Sequence, residues 1–179
     1  MKRVFFTTAL LAFLSVNAQT FTLKSRDLGG QAVEAQVFNG FGCQGGNRSP
    51  QLSWEHAPQG TKSFALTVYD PDAPTGSGWW HWVVFDVPAT VTSLETNAGN
   101  VAAGLAPRGA IQSRTDFGTT GYGGPCPPEG SKPHRYVVTV YALKTDTLGL
   151  DATANPALVG FMLEQNLLEK ASLIFYYKR

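Results

Sequence analysis

Charge is scarce in this chain. Only 15% of the 179 residues are Asp, Glu, Lys or Arg, against 43% hydrophobic residues. That balance excludes a disordered, self-repelling polypeptide, because there is ample apolar surface for a core. The formal net charge is +1, so there is no strong field of either sign. Nucleic acid is therefore not an expected partner, and there is no acidic tail to attract a basic one. No repeat recurs and no low-complexity linker divides the chain, which excludes a solenoid and leaves one domain as the reading for this length. After Leu14 no apolar stretch approaches the roughly 20 residues of a membrane-spanning helix, so the mature protein is not expected to span a membrane.

Cysteine is rare too, with Cys43 and Cys126 the only two. Their meaning depends on the first residues. Lys2 and Arg3 precede an apolar run from Val4 to Leu14, broken only by Thr7 and Thr8, and Val16-Asn17-Ala18 places small residues where a signal peptidase reads. Residues 1–18 are expected to be a secretory signal peptide cleaved near Ala18, with the folded domain at 19–179. The apolar run is about half the length of a membrane anchor. The mature protein is then periplasmic or secreted. An oxidising compartment permits a Cys43–Cys126 bridge; two separate buried thiols are the alternative.

What the chain has in quantity is glycine, at 19, and proline, at 11. Many tight connections favour sheets joined by turns over a helical bundle. Ser63 to Asp70 alternates as a strand, with Phe64, Leu66 and Val68 on one face. His81 to Val87 predicts a second, with His81, Val83, Phe85 and Val87 sharing a face. Arg135 to Leu143 predicts a third, with Tyr136, Val138 and Val140 on the face of His134. Weaker strand signals lie at Val33–Phe38, Gln51–Trp54 and Leu173–Tyr177. One helix is expected after Asn155 as N-cap and Pro156 at the first position, with Leu158, Phe161, Met162 and Leu168 at helical spacing. The fold class is all-β: an antiparallel sandwich or barrel with a late helix. Residues 97–132 lack alternation, and a stretch that long is often functional.

Three segments carry candidate chemistry. Asp70-Pro71-Asp72-Ala73-Pro74 leaves a strand as a stiff corner bearing two carboxylates. An ordinary Asp-Pro turn is the plainer reading. Trp79-Trp80-His81-Trp82 sets one histidine among three tryptophans, as core or as pocket wall. Tyr122-Gly123-Gly124-Pro125-Cys126-Pro127-Pro128, followed by Pro133-His134-Arg135-Tyr136, combines glycines that admit close backbone approach with prolines that stiffen the loop. There is no His-Glu-x-x-His helix, Gly-x-Ser-x-Gly elbow or Walker loop.

The order of these segments resembles the phosphatidylethanolamine-binding proteins, the Raf-kinase-inhibitor-like family. Asn39-Gly40-Phe41-Gly42-Cys43, Ser49-Pro50-Gln51-Leu52-Ser53-Trp54 and Arg114-Thr115-Asp116-Phe117-Gly118 are similar to its bacterial YbhB/YbcL branch. The resemblance implies two packed antiparallel sheets with a few short peripheral helices. It implies a small surface cavity for phosphate, acetate or a phosphorylated headgroup, formed here by Asp70, Asp72, His81, Gly124, Pro125, His134 and Tyr136. It also implies a cis peptide bond before Pro71 or Pro74. No cofactor is implied.

In such a cavity the two histidines would supply positive charge, and ligand affinity would fall as pH rises. Asp70 would orient a histidine, and Asp72 would do the same or hold the turn. Gly124 would offer a backbone N–H, and Tyr136 a phenolic hydrogen bond. The leading functional reading is a small-anion or phospho-ligand-binding protein, with family precedent for a kinase- or protease-inhibitor-like regulator and a protein partner. The alternative is a hydrolase using the Asp/His site, with or without metal. A third reading is an interaction protein, working as a homodimer through its sheet faces or Phe175-Tyr176-Tyr177.

Overall fold

The computed structural model describes residues 19–179. The expected signal peptide lies outside the described residues. In chain order the elements are β1 (Thr22–Lys24), β2 (Asn39–Gly40), β3 (Cys43–Gln44), β4 (Leu52–Glu55), β5 (Ser63–Asp70), β6 (Trp79–Pro88), β7 (Ser93–Leu94), β8 (Ile111–Gln112), β9 (His134–Leu143), α1 (Pro156–Asn166) and β10 (Leu167–Tyr177). A 3₁₀ turn spans Val101–Ala103. Five strands form one antiparallel sheet in the order β10-β9-β5-β6-β8, and β1-β4-β7 form a smaller one. β2 and β3 make a separate hairpin.

The strand period decides what lies between the sheets. Phe64, Leu66 and Val68 of β5 and Tyr136, Val138 and Val140 of β9 face the small sheet, where they meet Phe21, Leu23, Leu52, Trp54 and Leu94. Full burial of such side chains stabilises the fold by roughly 1.5–3 kcal/mol each. The opposite face, with Ala65, Val83 and Phe85, is covered by Leu148, Val159 and Leu163.

The sequence places α1 correctly but turns it the wrong way. Asn155 caps it, its Oδ1 accepting from Leu158 N–H at 2.9 Å, and Pro156 opens it. The buried residues are Pro156, Val159 and Leu163, whereas Leu158 and Phe161 are exposed and Leu168 is already in β10. Apolar residues occupy both faces of the helix, so spacing alone picks the wrong stripe. Val33–Phe38 is not a strand: it forms a turn in which Gln36 N–H donates to Val33 O and Gln36 Oε1 accepts from Val33 N–H.

β6 departs most from simple alternation. Tyr69 pairs with Trp80 and Val68 with Trp82, so His81 is one extra residue in the strand, a β-bulge. A second irregularity lies opposite Ala65, where Asp86 has a φ of 56°. Val83 and Phe85 therefore face α1, while Val87 returns to the inter-sheet core. His81 leaves the expected face as well: its ring meets Tyr136, on the inter-sheet side, at 5.1 Å and 79°. Bulges commonly re-aim a side chain in this way beside functional sites.

Candidate functional site

Four buried polar side chains converge where β5, β6 and β9 meet. Asp70 ends β5, His81 sits in the β6 bulge, and His134 and Tyr136 open β9 on one face. They line a cavity of about 180 Å³. Ala73, Pro74 and Thr75 form one wall, Cys126, Pro127 and Pro128 another, and Trp79, Phe117 and Phe41 complete the lining.

The two imidazoles are held alike. His134 Nδ1 lies 2.7 Å from Asp70 Oδ2, and both side chains are buried. A carboxylate only accepts, so Nδ1–H donates and Nε2 is left for the cavity. His81 Nδ1–H donates to Gly123 O at 2.7 Å, again leaving Nε2. Burial pulls the His81 pKa down to about 4, against smaller opposing effects of the Gly123 hydrogen bond and the Asp70 charge. Its ring is therefore neutral near pH 7. This corrects the expectation that both histidines supply positive charge, since desolvation outweighs the carboxylate nearby.

Tyr136 stacks on Phe175 at 5.1 Å, and its buried hydroxyl has no hydrogen-bond partner. Burial, and then the Asp70 charge, push its pKa upward, which keeps the phenol protonated. An unpartnered buried hydroxyl is costly and calls for a physical explanation; a ligand beside it is one.

Asp72 takes the second of the two roles expected of it, holding the corner, and Gly124 takes a different one. The Asp72 carboxylate binds Arg135 bidentately, through Nε at 2.8 Å and Nη2 at 2.7 Å, and also accepts from Arg135 N–H. That pairing lowers its pKa to about 2. Asp72 does not line the cavity; it ties the Asp-Pro corner to β9. The Gly124 N–H is already donated to Asn47 Oδ1 at 2.8 Å, and Pro125 O accepts from Phe38 N–H. Gly124 and Pro125 brace the loop against the Gln36–Phe38 segment and do not line the cavity. Glycine is needed there because a Cβ on Gly124 would lie 1.9 Å from Gln36 O.

No peptide bond is cis among the described residues, so those before Pro71 and Pro74 are trans. The corner is held by side chains: Asp70 Oδ1 accepts from Asp72 N–H, and Tyr69 Oη–H donates to Ser77 O. Cys43 and Cys126 are bridged, with Cα atoms 6.0 Å apart.

Sequence reasoning expected the tryptophans as pocket wall, and Trp79 does line the cavity, but it gave no role to Phe41 or Phe117. Phe117 packs against Phe38, Phe41, Trp79 and His81, and Phe41 is 67% exposed. Both phenylalanines lie in quoted motifs, but in glycine-rich loops where no period reveals which way a side chain points. Asp116, beside Phe117, accepts from Trp80 N–H at 2.7 Å and so pins this loop to β6.

Two packed antiparallel sheets with a small aromatic-rimmed cavity over paired histidines define a β-sandwich with one late helix. The sequence profile described as phosphatidylethanolamine-binding protein matches residues 29–178, and the chain belongs to that family. It is 50% identical over 175 residues to YbcL of Escherichia coli K12, covering 96% of each chain. It is 48% identical over 153 residues to YbhB of the same organism, covering 84% of this chain and 96% of YbhB. The crystal structure of E. coli YbcL superposes with a TM-score of 0.87 at 52% identity, covering 89% of this chain and 98% of that one.

Proposed function

We propose that this protein is an exported binding protein whose cavity receives a small oxyacid, such as phosphate or the phosphorylated headgroup of a larger molecule. The observation that carries this reading is the convergence of the His81 and His134 rings, each with Nδ1 tied to the protein, on one cavity that Asp70 and Tyr136 also line. Cavity size supports a headgroup rather than a whole lipid. About 180 Å³ is close to the roughly 150 Å³ that holds a benzene-sized molecule, and below the 300 Å³ and more of sites for larger ligands. Export is supported by the basic-then-apolar leader and by the Cys43–Cys126 bridge, which belongs to oxidising compartments. The folded domain of this reading is residues 19–179.

A hydrolase would use the His134–Asp70 pair as its base. The hydroxyl side chains of the cavity are those of Thr75 and Tyr136, and Thr75 donates to Gly78 O. No observation favours that reading over binding.

Calorimetric titration of the mature protein with methyl phosphate and acetate tests the binding reading, with ¹⁵N spectra of the histidines as a second readout. Heat of binding together with shifts at His81 and His134 is expected. Shifts confined to other residues, or no binding at millimolar ligand, would reject it. N-terminal sequencing of protein from the growth medium or periplasm is expected to begin at Gln19.

A further inference from the structure

The cavity is built to accept hydrogen bonds as much as to donate them. His81 has donated its Nδ1 proton to Gly123 O, so the neutral ring presents the Nε2 lone pair. Among the described residues no lysine or arginine lines the cavity; Lys132 and Arg135 line the groove that adjoins it at His134, and Arg135 is committed to Asp72. The fixed charge on the lining is the Asp70 carboxylate, which is negative. A proton on His134 would only balance Asp70 and would leave the cavity neutral. A fully ionised phosphate monoester carries close to two negative charges. Placed here, it would set its oxygen lone pairs against the lone pair of His81 and beside Asp70.

We propose that the cavity selects its oxyacid ligand in the protonated form, the ligand donating its own acidic hydrogen to His81 Nε2. This rests on the oxyacid reading above and adds which ionic species is bound. The groups that face His81 agree with it. From β5 comes Asp70, from β9 come His134 and Tyr136, and from the loop before Phe117 comes Asp116; the Asp70 carboxylate is already taken up by His134 Nδ1 and Asp72 N–H, and that of Asp116 by Trp80 N–H. The low proton affinity of His81 extends the range over which it remains an acceptor, down to about pH 4.

The test compares three probes on the native mature protein by calorimetry from pH 5.5 to 8. Methyl phosphate carries an ionisable hydrogen with a second pKa of about 6. Methyl sulfate has similar shape and single charge but no such hydrogen. Difluoromethylphosphonate ionises at lower pH than methyl phosphate. At pH 5.5 methyl phosphate is expected to bind at least about tenfold more tightly than methyl sulfate. Above its second pKa its affinity is expected to fall about tenfold per pH unit, as the monoanion is depleted. The falling limb should move to lower pH for difluoromethylphosphonate. A limb that stays fixed when the ligand is exchanged would assign the effect to a protein group and overturn the proposal. Methyl sulfate binding as tightly as methyl phosphate, with no pH dependence, would overturn it while leaving the oxyacid reading standing. No binding by any probe at any pH would overturn both.

Discussion

Replacing Cys43 and Cys126 together by alanine removes the bridge without leaving a free thiol. The bridged residues are 83 apart in sequence. Closing a loop of that size restricts the unfolded chain by about 15 cal/mol/K, or about 4.5 kcal/mol at 25 °C in the chain-entropy description. At about 2.1 cal/mol/K per residue, residues 19–179 unfold with an entropy near 0.34 kcal/mol/K, so the double variant should melt about 13 °C lower. Scanning calorimetry of the two proteins at equal pH measures this directly. A drop of less than about 4 °C would refute the reasoning. It would mean that the unbridged chain already keeps residues 43 and 126 close, or that the bridge costs the native state what it takes from the unfolded one. Ligand affinity gives a second readout. Cys126, Pro127, Pro128 and Phe41 all line the cavity, so the variant should bind methyl phosphate more weakly even well below its melting temperature.

Gly124→Ala should destabilise by about 3 kcal/mol, because the new Cβ would run into the backbone of Gln36–Phe38 and overpacking of this kind costs about 1–3 kcal/mol or more. Gly76→Ala is the control, since nothing lies within 4 Å of its Cβ position, and urea unfolding of the two variants should separate them clearly. The His81 proton gives a pH effect of known sign. Its pKa falls from 6.5 in the unfolded chain to about 4 in the folded one, so above pH 6.5 it leaves stability unchanged. Between 6.5 and 4 the unfolded chain takes up a proton that the folded chain refuses, and stability falls with pH by a total of about 3 kcal/mol. A His81→Asn variant should lose that component of the urea midpoint's pH profile; an unchanged profile would show that other groups cause it. Asp70→Asn removes the negative charge of the lining and turns an amide hydrogen toward His134 Nδ1, which moves the ring proton to Nε2. Nitrogen chemical shifts should report the new tautomer, and methyl sulfate should bind about tenfold or more tightly than in the native protein. A looser complex would contradict the charge argument.

Much of the frame could be read from period and capping. β5 and β9 alternate without interruption, and their inward residues are those that build the core. Asn155 and Pro156 mark the start of α1 because an N-cap is a local chemical event. What could not be read depends on partners far away in the chain. The face of α1 is chosen by the outer sheet face beneath it, with Ala65, Val83, Phe85 and Leu143, and both sides of the helix are apolar. The family motif placed Asp72 in the site beside Asp70, but Arg135, 63 residues later, holds its carboxylate. Gly124 looked like a ligand donor until Asn47 supplied its acceptor. Asp70, His81, His134 and Tyr136 do meet in one cavity, as the family motifs implied. The neutral state of His81 required knowledge of its burial.

The bulge at His81 has a consequence for how this fold tolerates change. With position 81 removed, Trp80 would still oppose Tyr69 and Trp82 would still oppose Val68. The ladder would run on without a step, and inward and outward residues would alternate as a plain strand requires. The histidine is therefore surplus to the strand ladder, and what it holds is the Gly123 loop, through its ring and its backbone O. A single-codon deletion at that point should give a folded protein with no ligand site, whereas the same deletion at Val83 would turn the following core residues outward. In this protein the ladder of the sheet and the cavity beside it are separable at one position.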